Sequence, residues 1–169
     1  MLLWFAVLAV AGTFIVFRDA AMDYRLVALG SLLPDVIDAV VRRGVGPMHS
    51  LVSAVAVMSA VMLGTIGRRR LRRRLLAIPI GLFAHLVLDL TWTRTQIFWW
   101  PIAGNGLGGL RGPLPSFDRP LATVLFQEAV GVGVGIWTWR RFGLDDAARR
   151  AKFFHTGRLD RVVAGPTRR

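Results

Sequence analysis

The sequence contains no cysteine among its 169 residues, which excludes disulfide bonds and thiolate metal ligands. Acidic residues are also scarce, with ten Asp and Glu against 22 Lys and Arg. Glu128 is the single glutamate, and histidine occurs three times. A metal ion in this protein would therefore need imidazole and carboxylate ligands, a set that suits zinc most closely and also manganese or magnesium.

Apolar residues are abundant: they make up 54% of the sequence, and the mean hydropathy is +0.50. This composition is typical of an integral membrane protein. The formal charge of +12 would also suit nucleic acid. However, the basic residues fall in predicted loops and in the tail, beside long apolar segments, so we expect anionic lipid headgroups as the partner and not nucleic acid.

The apolar segments predict an all-α fold, a polytopic membrane bundle of about five transmembrane helices. Each segment has about 16 to 19 residues, close to the ~20 that span a bilayer. The second contains Pro34 and is expected to be kinked or re-entrant. The five segments are Leu2–Phe17, Leu26–Val41, Met48–Ile66, Leu75–Trp92 and Leu121–Trp139.

Two domains are expected, a bundle over residues 1–142 and a basic cytoplasmic tail over residues 143–169. The tail is predicted to be a partly amphipathic helix that becomes disordered from Gly165. Six arginines between Arg68 and Arg74 indicate that the loop after the third segment is cytoplasmic. With five spans in the inner membrane, the amino terminus would lie outside and the carboxyl terminus in the cytoplasm.

Ionisable residues within the apolar segments are the strongest indication of a functional site. His85 and Asp89 lie one helical turn apart, on one face of the fourth segment. Depths estimated at about 1.5 Å per residue place both in the outer half of the membrane, together with Asp35, Asp38 and His49. Charged groups are costly in lipid unless a partner compensates them. The predicted metal ligands are Asp35, His49, His85 and Asp89.

Two further groups of residues are candidates for roles beside the metal. Asp38 and Glu128 are predicted to act as general bases or as hydrogen-bond partners of the ligands, since both fall in the same outer half. Arginines on the same side are candidates for binding a phosphate group. These are Arg42, Arg43, Arg94 and Arg111.

Several of these motifs resemble those of the membrane-bound metal-dependent hydrolases, also described as LexA-binding, inner-membrane-associated hydrolases. The resemblance lies in Gly30–Asp38 (GSLLPDVID), in Pro47–Ser50 (PMHS) after Arg43-Gly44, in His85 with Asp89 and Thr91, and in the aromatic element Phe98–Pro101. It implies a small polytopic bundle with metal-binding His and Asp and a hydrolytic activity. The family often has a histidine where this chain has Ala39.

The leading hypothesis is a metal-dependent hydrolase of the phosphatase or phosphodiesterase type. Its substrate would be a lipid or a lipid-linked molecule at the outer face of the membrane, and the bound metal would activate water and polarise a phosphoryl oxygen. One alternative is a small ion- or proton-coupled transporter subunit that uses the same side chains. Another is a non-catalytic membrane partner protein. The sequence leaves open whether the chain forms a homo-oligomer.

Overall fold

The structure is a computed structural model that describes residues 1–42, 46–103 and 119–159. These residues are all-helical, and no strand occurs among them. Short 3-10 turns cover Pro47–His49 and Thr91–Thr93. The α-helices are α1 (Leu2–Phe17), α2 (Tyr24–Arg42), α3 (Leu51–Gly64), α4 (Arg69–Leu75), α5 (Ala77–Leu88), α6 (Thr95–Phe98), α7 (Leu121–Arg141) and α8 (Ala147–Thr156).

The all-α prediction is confirmed, and each predicted apolar segment overlaps one of the long helices, namely α1, α2, α3, α5 or α7. The fourth segment is shorter than predicted. Helix α5 ends at Leu88 because Leu90 adopts a left-handed backbone, with φ of 56°. In the described residues, α7 is the one helix whose length and apolar composition suffice to cross a membrane, whereas α1 and α3 are apolar but shorter.

The most extensive helix contact joins α2 to α5 and depends on two glycines. Gly30 of α2 lies against the backbone carbonyl of Ile78, and Gly81 of α5 lies against that of Val27. A Cβ atom at either position would collide with the facing backbone. The absence of side chains therefore allows the two helices to approach more closely than larger residues would permit.

The other long helices surround this pair. Helix α1 packs against α2, α5 and α7, and α3 packs against α5. Gly131 allows α7 to approach the backbone of Leu3 and Trp4 in α1. The arrangement places α7 on the outside of α1, and the contacts of α7 with α2 and α5 are correspondingly few.

One end of the bundle carries most of the basic residues and is held together by two aspartates in the α1–α2 connection. Asp23, whose side chain is 4% exposed, binds Arg25 at 2.9 Å and Arg74 of α4 at 3.1 Å. Asp19 binds Arg73 at 3.0 Å. These ion pairs bring the arginine-rich helix α4 against the α1–α2 connection, and we call this region the basic end.

The residues after α7 also pack onto the basic end. Gly157, which ends α8 in a left-handed conformation, accepts a hydrogen bond from the backbone N–H of Tyr24 at 2.8 Å. Leu144 and Leu159 are buried in the same apolar cluster as Tyr24 and Phe142. The residues on either side of α8 are thus buried against the bundle, whereas α8 itself, the predicted helix of the tail, has no buried residue. Gly165 lies outside the described residues.

The buried carboxylate of Asp23 predicts a dependence of stability on pH. Burial alone would raise the pKa of Asp23, but hydrogen bonds from Arg25 and Arg74 outweigh it and hold the pKa below its usual range. Ionised Asp23 therefore stabilises the fold at neutral pH. That contribution is lost as the pH falls from about 4 through the lower pKa of the folded state.

We expect Asp23→Asn to lower the thermal denaturation midpoint at pH 7. Between pH 5 and 3, a range set by the ordinary Asp pKa of about 4, the midpoint of the variant should fall less steeply than that of the parent protein. Asp145→Asn is the control, because Asp145 is an exposed aspartate at the same end. Unfolding followed by tryptophan fluorescence in detergent measures both effects. An unchanged acid decline in Asp23→Asn would contradict the assignment.

The glycine contact between α2 and α5 predicts a second effect on stability. Gly81→Ala should lower the free energy of unfolding by about 1–3 kcal/mol, because the added methyl group must displace the backbone of α2. Gly133→Ala is the matched control, since a Cβ at Gly133 in α7 meets no atom within 4 Å. Equal stability of Gly81→Ala and the parent protein in denaturant titrations would contradict this role.

Candidate metal centre

Three of the predicted ligand residues converge at the end of the bundle opposite the basic end. The Nε2 atom of His49 lies 3.3 Å from Oδ1 of Asp35, and the Nε2 atom of His85 lies 3.8 Å from the same oxygen. The two Nε2 atoms are 3.4 Å apart. Both imidazoles are fully buried, while the Asp35 side chain is 20% exposed. This cluster can hold a metal ion.

Three separate elements supply the cluster. Asp35 and Asp38 are three residues apart on α2, so their side chains emerge on the same face. His49 ends the 3-10 turn that begins at Pro47, whose fixed φ suits the start of a helical turn. His85 lies in the last turn of α5. The close contact of α2 and α5 therefore places His85 opposite the aspartates.

Asp38 fixes the orientation of the His49 ring. Its Oδ2 atom lies 2.7 Å from Nδ1 of His49, and it also accepts a hydrogen bond from the backbone N–H of Gly46 at 3.0 Å. A Cβ at Gly46 would overlap the Asp38 carboxylate, so glycine is needed for this approach. A carboxylate only accepts hydrogen bonds, so Nδ1 of His49 donates and its Nε2 faces the cluster.

The backbone of α2 performs the same task for His85. Nδ1 of His85 lies 2.7 Å from the carbonyl oxygen of Ser31, which can only accept a hydrogen bond. Phe5 of α1 covers the imidazole, with ring centroids 4.1 Å apart. Nδ1 of His85 is thus the donor, and its Nε2 lone pair also faces Asp35.

These orientations leave room for a cation. The two Nε2 atoms and Oδ1 of Asp35 face one another within 3.3 to 3.8 Å, so that either a proton shared between His49 and Asp35 or a bound cation can stabilise them. Ligand atoms around a tetrahedral zinc ion at about 2.0–2.1 Å lie about 3.3 Å from one another. The three separations approach this value. The residues present therefore fit a small divalent cation bound by two histidines and one carboxylate, with a coordination position left for water or substrate.

Asp89, the fourth predicted ligand, is not among the three converging residues. Its Oδ1 atom accepts a hydrogen bond from Arg119 at 2.7 Å, and its Oδ2 accepts one from the Thr91 hydroxyl at 3.0 Å. Arg119 also donates to Gln127 at 3.1 Å. The charge of buried Asp89 is compensated by Arg119, which lies two residues before α7, so Asp89 lies beside the cluster as half of an ion pair.

Two other predicted site residues, Glu128 and Arg94, are not among the three that converge. Glu128 accepts a hydrogen bond from the backbone N–H of Leu3 at 3.2 Å, which associates it with the first turn of α1. Arg94 is exposed at the start of α6. Arg43 and Arg111 lie outside the described residues, as does the side chain of Arg42.

Three residues that contact this site were not predicted from the sequence. Arg119 had one available signal: a buried aspartate at the end of α5 needs a cation, and Arg119 adjoins the start of the fifth apolar segment on the same side. Ser31 participates through its backbone, which no residue pattern reveals. Phe5 is one of many apolar residues in α1, so its contact with His85 had no sequence signal.

Comparison of the chain with protein-family models, with curated proteins and with solved structures gives no match. The geometry of this site is therefore the basis on which a function can be assigned.

The contact between Asp38 and His49 predicts a graded effect on metal affinity. Removing the hydrogen-bond partner of a metal-binding histidine typically weakens binding about 10- to 100-fold, and we expect this loss in Asp38→Ala. Asp38→Asn should lose less, because its amide oxygen can still accept from Nδ1. Zinc affinity measured by chelator competition tests both variants. Asp145→Ala is the control, and unchanged affinity in Asp38→Ala would refute the assigned role.

Proposed function

We propose that this protein is a membrane-embedded, metal-dependent hydrolase that acts on a phosphoester or related bond of a lipid or lipid-linked substrate. The observation that carries the proposal is the convergence of two imidazole nitrogens and one carboxylate oxygen, on His49, His85 and Asp35, at separations suited to one divalent ion. The proposal includes a relationship to the membrane-bound metal-dependent hydrolases.

The chemistry of the three ligands supports hydrolysis. Two histidines and one carboxylate are a ligand set of catalytic zinc sites, in which water or substrate completes the coordination. A divalent ion in such a site lowers the pKa of bound water and polarises a phosphoryl or carbonyl oxygen. We propose zinc as the metal, with manganese or magnesium as alternatives to be separated by elemental analysis.

The surroundings of the cluster give its residues different roles. Asp38 is buried and engaged by His49 and Gly46, so we assign it as a positioning residue for His49. Phe5 covers His85 and excludes water from that side of the ring. Asp35, which is 20% exposed, is the side of the cluster through which substrate would approach.

The membrane setting is part of the proposal. Exposed apolar side chains occur along several helices, among them Val16 and Phe17 of α1, Leu63 of α3, and Leu125 and Phe126 of α7. The metal cluster and the basic end lie at opposite ends of the bundle. We therefore propose that the basic end faces the cytoplasm, where it contacts anionic headgroups, and that the cluster lies towards the outer face of the inner membrane.

Metal content and activity test the proposal together. We expect protein purified without chelator to contain about one zinc per chain, and to release phosphate from phosphatidic acid or to cleave phosphatidylglycerol. His85→Ala should lose the metal and at least about 100-fold of the activity, since it removes a ligand. His155→Ala is the matched control, because His155 is an exposed histidine in α8.

Either of two results would refute the hydrolase proposal. One is zinc-free protein with no bound manganese or magnesium. The other is hydrolysis that His85→Ala leaves unchanged. Proton flux through the protein in liposomes, lost in His85→Ala and accompanied by no lipid hydrolysis, would instead identify a transporter.

A further inference from the structure

An apolar groove of about 570 Å³ runs along α5 on a face next to the one that carries His85. Helix α5 forms its floor, and α1 and α3 form its walls. The volume lies within the range of ligand sites, about 300–1,000 Å³. Gly12 and Thr13 of α1, Ala54 and Met58 of α3, and Ile80 and Ala84 of α5 are among the residues that line it.

The lining determines the chemical class of the ligand. Thr13 is the one polar side chain among the lining residues, and it is 5% exposed. No charged or amide side chain lines the groove, so a polar ligand would lose its hydration without gaining hydrogen bonds there. Hydrocarbon is the ligand that such a surface favours.

The position of the groove indicates the orientation of the ligand. The floor extends from Pro79 to Leu88, a separation of nine residues that corresponds to about 13 Å of helix. Leu88 immediately precedes Asp89 and lies three residues after His85. Leu51, at the corresponding end of α3, lies two residues after His49. One end of the groove therefore adjoins two of the segments that build the metal cluster, and the other end extends towards the basic end.

Space inside the groove is left open at Gly12. A Cβ atom there would meet no atom within 4 Å. This differs from Gly30 and Gly81, where the missing side chain allows two helix backbones to touch. The first atom of a side chain at Gly12 would therefore extend from the groove wall without colliding with the protein, which makes this position suitable for testing occupancy.

We propose that this groove binds one acyl chain of a lipid whose headgroup lies at the Asp35, His49 and His85 cluster. The inference rests on the proposed function in one respect, that the lipid is the substrate of the metal centre. Its support is that one end of a hydrocarbon-lined groove is formed by residues next in sequence to two segments that build a polar cluster able to hold a cation. A molecule with a polar head and a long apolar tail matches both surfaces at once.

The test uses phosphatidylglycerol with a diazirine group in one acyl chain, added to the full-length protein in detergent and activated by light. Peptide mass spectrometry then locates the labelled residues. We expect the groove residues of the parent protein to be labelled. Labelling should fall about tenfold in Gly12→Leu, because the leucine side chain would displace about two methylene groups of the lipid from the groove. Gly133→Leu should label as the parent protein does, because its Cβ also projects into open space but on α7.

Two additional variants separate the causes of a lost signal. Gly12→Ala adds one methyl group and should retain most of the labelling, which shows that α1 tolerates substitution at this position. His85→Ala should lose zinc and still label the groove, since the acyl chain contacts apolar residues. Zinc content is measured on every sample. Loss of metal binding and loss of lipid binding in the groove are therefore distinguished from each other.

Three results would overturn the inference. Equal labelling of the groove and of the exposed α7 residues Leu125 and Phe126 would mean that lipid merely surrounds the protein. Unchanged labelling in Gly12→Leu would place the chain elsewhere. Crosslinking that joins two copies through the groove, with lipid label absent, would show that a second copy of the protein covers it.

Discussion

The close approach of α2 and α5 is the constraint on which the candidate site depends. Gly30 immediately precedes Ser31, whose carbonyl binds His85, and Gly81 lies one turn before His85 on the facing helix. If side chains held the backbones apart, the imidazole could not reach this carbonyl, and its other nitrogen would not face Asp35. Helix packing therefore sets the distances between the side chains of the candidate metal site. Interactions among these side chains are not needed to bring the two helices together.

The two histidines of the cluster are held by partners of different charge. His49 is bound by the buried carboxylate of Asp38, and His85 by a neutral backbone carbonyl. A carboxylate partner increases the basicity of an imidazole more than a carbonyl does, so the two rings offer a cation unequal ligand strength. Both orientations arise from contacts within the protein. The site is thus arranged before any ion binds, which reduces the reorganisation that binding requires.

Much of the fold and part of the site could be predicted from the sequence, for identifiable physical reasons. Apolar length locates the main helices, and arginine position combined with helical rise gives the depth of each ionisable residue. The predicted depths put Asp35, His49 and His85 in the same outer half of the membrane, and the structure brings these three side chains together. Depth does not specify lateral position. Glu128 was predicted at a suitable depth, yet its helix packs outside α1, and so its carboxylate meets Leu3 and not the cluster.

The turn at the end of α5 could not be predicted either, because no sequence pattern indicates that Leu90 adopts a left-handed conformation. That turn places Asp89 within hydrogen-bond distance of Arg119, a residue 30 positions later in the chain. The ion pair joins the end of α5 directly to the residues that precede α7. Lengthening a connection costs little once its ends are fixed, about 0.6 kcal/mol for each doubling. An insertion shortly before Arg119 would therefore cost little stability and would lengthen the chain beside the candidate metal site, while the helices that carry the site stay in place.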